Sequence, residues 1–312
     1  MKAILFAYHE IGCQAIRTLT GLGVEIAAVF THEDDARENV WFGSVGRLAQ
    51  SLGIPTYFPE DVNRPEWVQK IRDLKPDLLF SFYYRRMISD AILSIPLQGG
   101  LNLHGSYLPK YRGRCPVNWA IIHGETETGM TLHYMVKKPD AGDIVLQKKI
   151  PITLEDTAAT LYDKFIPVTD QILREAVPLL ISGNAPRVPQ DPAQATYFGG
   201  RKPADGKIDW TKSAREIYNL VRAVTHPYPG ATAQYKNQTV WIWQSRFLER
   251  SPEGRTAEPA AWISLNPIQV QCGQGVLEVQ RIQGEGEEEM SGSEWAQKRN
   301  LSLPECFTQE DF

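Results

Sequence analysis

The feature that most restricts the fold is an alternation of apolar runs with helical segments in the first third of the chain. The runs AILFAY, VEIAAVFTH and LLFSFYYRRMI are bounded by turn residues, and the intervening GCQAIRTLTGLG, VGRLAQSLGIPTYF and PEWVQKIRDLKPD have helical spacing. Strands that alternate with helices of about ten residues indicate right-handed crossovers. The sequence therefore predicts an α/β fold with a doubly wound, mostly parallel sheet.

The carboxyl ends of these strands are the place where a ligand is expected, because such sheets bind ligands beyond that edge. The predicted strand ends are Tyr8–His9, Thr31–His32, Tyr83–Arg86 and Asn102–His104. The first turn, FAYHEIGC, lacks the G-x-G-x-x-G pattern that lets a pyrophosphate approach the first helix. The fold is thus expected to be Rossmann-like, and a nicotinamide cofactor bound in the usual way is disfavoured.

The second half of the chain has a different organisation. Residues 124–150 predict a hairpin, and residues 155–183 predict a long helix that Pro167 should kink or split. Short alternating strands farther along predict a small β-rich barrel or sandwich. The predicted organisation is a Rossmann-like domain over 1–188, a linker over 189–204, a β-rich domain over 205–300 and a frayed tail over 301–312.

Composition excludes several classes of protein. The 33 basic and 37 acidic residues give a net charge of −4, so nothing global favours nucleic-acid or membrane binding, and any anion site must be local. The four cysteines are far apart and form neither a metal-type pair nor a dense disulfide pattern, which favours a reducing cytoplasm. The apolar N-terminus is shorter than a membrane span and is interpreted as a buried strand.

Asn102 and His104 are the first candidates for chemistry. They share one side if residues 101–104 are extended, since side chains alternate along a strand. An amide donor that stabilises an oxyanion, beside an imidazole base, is the minimum equipment for acyl transfer. Asp140, on a Pro-Gly turn, could orient His104 and raise the pKa of its imidazole, and Asp143 could do the same. The alternative is that Asn102 and His104 merely end a strand.

A basic loop follows this pair. SYLPKYRGRCP carries Lys110, Arg112 and Arg114 between two prolines, and a fixed cationic loop suits a phosphate or carboxylate group. A solvated surface loop is the alternative interpretation. The chain contains no G-x-S-x-G nucleophile motif. His123 and His133 lack metal-ligand spacing and are interpreted as structural, so no metal site is predicted.

Taken together, Asn102-Leu103-His104, S-x-L-P-x-x-x-G over 106–113 and D-x-G-x-I over 140–144 resemble the folate-dependent formyltransferases. This family includes methionyl-tRNA formyltransferase, glycinamide ribonucleotide formyltransferase and the sugar N-formyltransferases. Its members transfer a formyl group from 10-formyltetrahydrofolate to an amine. The resemblance covers nearly the whole chain and implies 10-formyltetrahydrofolate as the co-substrate. It also implies that the Rossmann-like domain is catalytic and that the smaller C-terminal domain is an OB-like β-barrel.

Within the family, the similarity is strongest to the formyltransferases that act on UDP-4-amino-4-deoxy-L-arabinose in lipid A modification and polymyxin resistance. The stretches that carry it are FAYHEIGCQAI, FTHEDD, GSVGRLA, FSFYYRRMI, LPKYRGRCPVNW, HGETETGM and VRAVTHPYPGA. These enzymes usually continue into a dehydrogenase domain that acts on UDP-glucuronate. The resemblance therefore implies a UDP-linked amino sugar as substrate and a fused or separate dehydrogenase as partner.

The resemblance also implies roles for individual residues. Asn102 would stabilise the oxyanion, His104 would relay the proton of the attacking amine, and Asp140 would hold His104 and raise its pKa. The implied folate contacts are Arg86, Met87, Ile88, Arg114, Val136, Lys137, Lys138, Pro139 and Asp140. Arg112 and Arg201 are weaker candidates for the diphosphate of the sugar nucleotide.

Three other functions remain open at the level of the sequence. A methionyl-tRNA formyltransferase should carry a basic stripe, and the net charge of −4 and the segment GEGEEEM argue against one. Another nucleotide-linked amino sugar, such as a dTDP-sugar, would need no such stripe. A non-catalytic sensor of folate or nucleotide would tolerate loss of Asn102, His104 and Asp140, yet all three are present.

Overall fold

The computed structural model describes residues 1–33, 39–249 and 257–308. Strands and helices alternate in its first part as the apolar pattern predicts. The strands there are β1 (Lys2–Ala7), β2 (Glu25–Phe30), β3 (Thr56–Tyr57), β4 (Leu78–Phe82), β5 (Gly100–His104), β6 (Arg112–Gly113), β7 (Glu127–Tyr134) and β8 (Ile144–Pro151). The helices are α1 (His9–Gly21), α2 (Val45–Ser51), α3 (Pro65–Leu74), α4 (Asp90–Leu93), α5 (Pro116–Ile122) and α6 (Ala158–Ile181).

Seven of these strands form one sheet in the order β3-β2-β1-β4-β5-β7-β8. The first five pair in parallel, whereas β7 and β8 pair antiparallel and complete the predicted hairpin. Apolar runs with no polar face belong to strands covered on both sides, and β1 and β4 are accordingly buried, with Ile4 and Leu79 in the same core cluster. The predicted mostly parallel, Rossmann-like sheet is confirmed.

His9 begins α1 at the carboxyl end of β1 and is 9% exposed. Its backbone φ of 66° is in the left-handed region. Four aromatic rings surround its imidazole: those of Trp41, Phe42, Tyr83 and Tyr162. Burial, and next the charge of Arg85, lower the pKa of His9 from 6.5 to about 4.

We expect His9 alone to reduce the free energy of unfolding by about 3 kcal/mol between pH 6.5 and pH 4. The folded-state pKa is depressed, so the unfolded chain binds a proton that the folded protein excludes, and stability falls as the pH falls through this window. His9→Asn tolerates a positive φ and does not titrate. Urea unfolding of both proteins at several pH values should therefore give a flatter pH profile for the variant. If the free energy of unfolding had the same pH dependence in both proteins, the lowered pKa of His9 would be contradicted.

Helix α6 runs unbroken from Ala158 to Ile181, so Pro167 does not split it, and the kink that was predicted as the other outcome stays a prediction. Proline removes one N–H and strains one turn, but Phe165, Ile172 and Leu173 on either side are fully buried. Packing of this apolar face outweighs the local cost. Although α6 has 24 residues, neither it nor another helix within the described ranges is long and apolar enough to cross a membrane.

The remaining elements are β9 (Tyr197–Phe198), α7 (Ala214–Val224), β10 (Ala231–Tyr235), β11 (Gln238–Leu248), β12 (Trp262–Leu265), β13 (Ile268–Gln271), β14 (Val276–Gly284), β15 (Met290–Ser291) and α8 (Gly292–Lys298). Strands β10 to β15 form an antiparallel sheet in the order β10-β11-β14-β13-β12, with β15 paired to β14. The short strand β9 pairs instead with β6. The predicted C-terminal β-rich architecture is confirmed.

The segment 305–308 joins both edge strands of this sheet. The Trp262 N–H donates to the Glu305 carbonyl at one edge, and the Thr308 N–H donates to the Gln234 carbonyl at the other, each at 2.8 Å. These bonds connect β12 to β10, as a barrel requires. The prediction of a frayed tail is therefore wrong for 305–308, because the backbone groups of the two edges need partners. Residues 309–312 lie outside the described residues.

The chain divides into two compact units that are interleaved in sequence. The second unit contains 117–126 and 152–161 in addition to 200–312. Within it, Arg222 donates to the carbonyls of Thr153 and Asp156, each at 2.9 Å. Residues 189–199 belong to the first unit and are hydrogen-bonded within it, so the predicted linker is ordered up to Gly199. The domain boundaries at 188 and 205 stay predictions.

Candidate functional site

Pairing of β5 with β7 places three polar side chains at one point of the first unit. Asn102 lies opposite His133, and His104 lies opposite Thr131. Directly opposed residues project from the same face of an antiparallel pair, and residues two apart in a strand share a face. Asn102, His104 and His133 therefore converge on one side of the sheet, as the N-x-H spacing predicted for the first two.

Asp140 joins this group from the turn between β7 and β8. Its backbone is left-handed, with a φ of 54°. Its Oδ1 lies 3.6 Å from the Nδ1 of His104, 3.6 Å from the Nε2 of His133 and 3.5 Å from the Nδ2 of Asn102. Its Oδ2 accepts the Gly113 N–H at 2.8 Å. Of the two aspartates that the sequence left open, Asp140 is thus the one that reaches His104.

Backbone carbonyls determine which nitrogen of each imidazole is protonated. The Nε2 of His104 donates to the Tyr111 carbonyl at 2.8 Å, and the Nδ1 of His133 donates to the Tyr134 carbonyl at 2.9 Å. Because a carbonyl oxygen can only accept, the nitrogen that faces it must carry a proton: Nε2 in His104 and Nδ1 in His133. The lone pair of His104 is therefore on Nδ1, which faces Asp140. That of His133 is on Nε2, which accepts from the Asn102 amide at 3.2 Å.

Burial sets the charge state of His104. Burial lowers the pKa of this imidazole, and the nearby Asp140 carboxylate and the hydrogen bond to Tyr111 oppose the shift without overcoming it. Asp140 raises the pKa of His104 as expected, but burial has the larger effect, so the pKa of the imidazole lies below its ordinary value. A neutral His104 at pH 7 is suited to accept a proton.

Asp140 keeps its negative charge. Burial alone would raise the pKa of this carboxyl, but His104, His133 and the Gly113 N–H outweigh it and hold the pKa well below its ordinary value. Asp140 is therefore a fixed anion beside Nδ1 of His104. It can stabilise an imidazolium there without taking the proton itself.

His133 belongs to the site, although its spacing in the sequence predicted only a structural role. It is almost fully buried and contacts both Asn102 and Asp140. The strand pairing could have identified it, because the register that opposes Asn102 to His133 puts them on one face. That register is a tertiary property, however, and does not follow from residue spacing along β7.

The basic loop separates into a buried and an exposed part. Arg112 is 2% exposed, and its guanidinium is bonded to the Oε1 of Gln190 and to the hydroxyl of Tyr197. A guanidinium engaged in this way is not available to a diphosphate, so the predicted substrate role of Arg112 is corrected to a structural one. The side chains of Lys110 and Arg114 are exposed. They remain candidates for an anion.

Gly113 is required at its position for two reasons. Its φ of 98° is in the left-handed region, and an added Cβ would collide with the Phe198 carbonyl of the paired strand β9. The same close approach aims the Gly113 N–H at Asp140. The sequence motif that ends in Gly113 therefore fixes one oxygen of the carboxylate.

Apart from Arg114 on the basic loop, the predicted folate contacts lie in two segments of the first unit. Met87 is 63% exposed and Arg86 is exposed, while Ile88 packs against the core cluster that also receives Met135. Residues 136–139 follow Met135 directly and are exposed. Both segments thus adjoin residues of this cluster, and Arg86, Met87 and residues 136–139 are accessible. The Met87 carbonyl also accepts from the Asn63 amide at 3.0 Å.

Arg201 belongs to the second unit. Its guanidinium lies over the ring of Trp119, 4.6 Å from the ring centroid, and donates to the Asp205 carbonyl at 2.6 Å. Its predicted contact with a diphosphate stays a prediction.

Comparison with known proteins places the chain in a family. A model described as "Formyl transferase" matches residues 9–177, and one described as "Formyl transferase, C-terminal domain" matches residues 201–300. Among solved structures, the N-formyltransferase of Helicobacter canadensis in complex with folinic acid and dTDP-3-aminofucose is 19% identical, with a TM-score of 0.69. That match covers 89% of this chain and 99% of that chain.

Two further structures share the fold. WlaRD, a sugar 3N-formyl transferase solved with dTDP and 5-N-formyl-THF, is 20% identical with a TM-score of 0.67, over 91% of this chain and 97% of that chain. HypX from Aquifex aeolicus is 16% identical with a TM-score of 0.63; the match covers 96% of this chain but 47% of HypX. The family match over more than half of the sequence shows that this chain belongs to the formyl transferase family.

Proposed function

We propose that this enzyme transfers the formyl group of 10-formyltetrahydrofolate to the 4-amino group of UDP-4-amino-4-deoxy-L-arabinose. The main support for formyl transfer is that the Nδ2 of Asn102 and the Nδ1 of His104 both lie close to the Oδ1 of Asp140, at 3.5 and 3.6 Å. The group combines an amide donor, a neutral imidazole base and a fixed anion. These are the parts that acyl transfer to an amine requires.

His104 is the proton acceptor in this proposal. The amine nitrogen forms a bond to the formyl carbon and loses a proton to Nδ1 of His104, whose lone pair faces Asp140. The negative charge of Asp140 stabilises the imidazolium that results. When the bond between the formyl carbon and N10 of the folate breaks, the imidazolium of His104 passes this proton to N10. The products are a formamide and tetrahydrofolate, and His104 is neutral again.

Asn102 stabilises the developing oxyanion. One N–H of its amide is held by His133 Nε2, which fixes the orientation of the amide. The other N–H is 3.5 Å from Asp140 by the distance between heavy atoms, which is too long for a strong hydrogen bond. A formyl oxygen that gains charge in the tetrahedral intermediate is a better acceptor, and the amide is already oriented for it.

The folate proposal rests on the resemblance and on the accessible surfaces of residues 86–88 and 136–139. Folate ligands in two of the similar structures support it, since one holds folinic acid and another 5-N-formyl-THF. The main-chain groups of these segments suit a pterin ring, and the exposed Arg114 suits a carboxylate. Asp140 would contact the folate only near the formyl group.

The proposal also names the sugar nucleotide that accepts the formyl group. The sequence stretches from FAYHEIGCQAI to VRAVTHPYPGA support the UDP-linked arabinose derivative. A dTDP-linked amino sugar is the second candidate, because dTDP-3-aminofucose and dTDP are the ligands of two similar structures. With the UDP-linked sugar as substrate, the enzyme would work beside a dehydrogenase, fused or separate, that acts on UDP-glucuronate.

A formylation assay tests both parts. The enzyme is mixed with 10-formyltetrahydrofolate and a panel of UDP- and dTDP-linked amino sugars, and release of tetrahydrofolate is followed together with the mass of the product. We expect the highest kcat/KM for UDP-4-amino-4-deoxy-L-arabinose. A higher value for a dTDP-sugar would overturn the choice of substrate, and binding of folate without turnover on any amine would favour a sensor.

A further inference from the structure

Gln190 connects the buried Arg112 to the turn that carries Asp140. Its Nε2 donates to the carbonyl of Asp140 at 2.9 Å and to that of Gly142 at 2.7 Å. Its Oε1 accepts from the Nε and Nη2 of Arg112 at 3.1 and 2.6 Å. The amide nitrogen thus donates twice to the turn, and the amide oxygen accepts twice from Arg112. These four bonds fix the orientation of the Gln190 amide.

The backbone near Gln190 is also held in place. Val188 and Ile144 exchange hydrogen bonds at 2.8 and 3.0 Å, which ties this part of the chain to the start of β8. Residue 190 follows two positions later, beside the turn. We call the four side-chain bonds of Gln190 to Arg112 and to the Asp140 turn the Gln190 bridge. The backbone pair of Val188 and Ile144 holds the chain near Gln190, and the Arg112 guanidinium holds its side chain.

We propose that Gln190 is a positioning residue, which holds the Asp140 turn so that its carboxylate stands against His104 and Asn102. This inference rests on the proposed formyl transfer for its kinetic test. Asp140 is in the left-handed region, where a non-glycine residue is strained, and the bonds from Gln190 to the carbonyls of Asp140 and Gly142 offset that strain.

Arg112 gives the bridge its rigidity. A guanidinium presents its donors in a fixed plane, so two bonds to one oxygen define the position of the Gln190 amide. The hydroxyl of Tyr197 holds the other side of the guanidinium. The buried cation thus acts on the reaction through Gln190 and Asp140, and it does not itself touch a substrate.

Two substitutions separate the ends of the bridge. Gln190→Ala removes both ends. Gln190→Glu keeps an oxygen for Arg112 and should fold, but its carboxylate cannot donate to the carbonyls of Asp140 and Gly142. We expect both variants to lose 10- to 100-fold in kcat, since a misplacement near 1 Å costs about 100-fold. KM values for both substrates should stay within about twofold, and Gln194→Ala, at an exposed glutamine of the same segment, should match the parent.

A double-mutant cycle with Asp140→Asn decides whether Gln190 acts through Asp140. If it does, Gln190→Glu should change the single-turnover rate by less than about threefold in the Asp140→Asn background, because coupled residues are not additive. A full 10- to 100-fold loss in that background would overturn the proposal, and so would a kcat of Gln190→Glu equal to that of the parent.

A crystal structure of Gln190→Glu gives an answer that does not depend on the reaction. We expect the Asp140 carboxylate to leave its position 3.6 Å from Nδ1 of His104. An unmoved carboxylate would overturn the positioning role, whatever the kinetics. An enzyme that transfers no formyl group but whose Asp140 moves in the variant would instead overturn the proposed function and leave the positioning role supported.

Discussion

Replacement of His104 by alanine is expected to lower kcat for formyl transfer by about 10²- to 10⁴-fold, the usual contribution of a placed general base. The buried imidazole is neutral at pH 7, and its Nδ1 is the base atom that faces Asp140. Without it, the proton of the amine has no acceptor when the tetrahedral intermediate forms. Single-turnover measurement of tetrahydrofolate release tests this expectation, with folate binding measured separately by fluorescence.

The matched control is His226→Ala, which removes an exposed histidine paired with Glu289 in the second unit. It should retain the parent rate. A second measurement follows from the lowered pKa of His104: the acid limb of kcat/KM should lie below pH 6.5 and disappear in His104→Ala. Near-normal formyl transfer by His104→Ala would contradict both its role as base and the proposed function.

Asn102→Ala is expected to lower kcat by about 10²- to 10³-fold, as is typical when one oxyanion donor is removed. The amide contributes mainly when the formyl oxygen becomes an anion, so KM for the folate should change little. Steady-state kinetics with each substrate varied would measure this separation of kcat from KM.

Asn184→Ala is the control for this substitution, since Asn184 is exposed and its side-chain amide donates to the hydroxyl of the neighbouring Ser182, a contact outside the site. It should be indistinguishable from the parent. If Asn102→Ala raised KM and left kcat unchanged, the amide would bind the ground state, and the oxyanion role would be wrong.

Much of the fold could be predicted from the sequence, because it depends on local periodicity. The apolar runs predicted the strands of the parallel sheet, and the N-x-H spacing predicted a common side for Asn102 and His104. Asp140 was predicted by its motif, and its distance from His104 agrees with that. A split at Pro167, one of the two predicted outcomes, does not occur, since the packing of Phe165 and Leu173 is a tertiary contribution that propensity does not contain.

The remaining parts of the site depend on contacts between distant residues. Arg112 looked like a ligand for an anion because basic loop residues usually face solvent, but Gln190, 78 positions later, covers it. His133 became a site residue through the register of β5 with β7. The terminal segment was predicted to be irregular because its pairing partners, β10 and β12, are far away in sequence.

The interleaving of the two units restricts how this chain can be divided or recombined. A fragment that starts at residue 200 would leave Arg222 without the carbonyls of Thr153 and Asp156, and a buried guanidinium without acceptors is costly. A fragment that ends there would keep 152–161 without its partner. Shuffling of C-terminal halves among relatives should therefore succeed only when the segments 117–126 and 152–161 are exchanged with them.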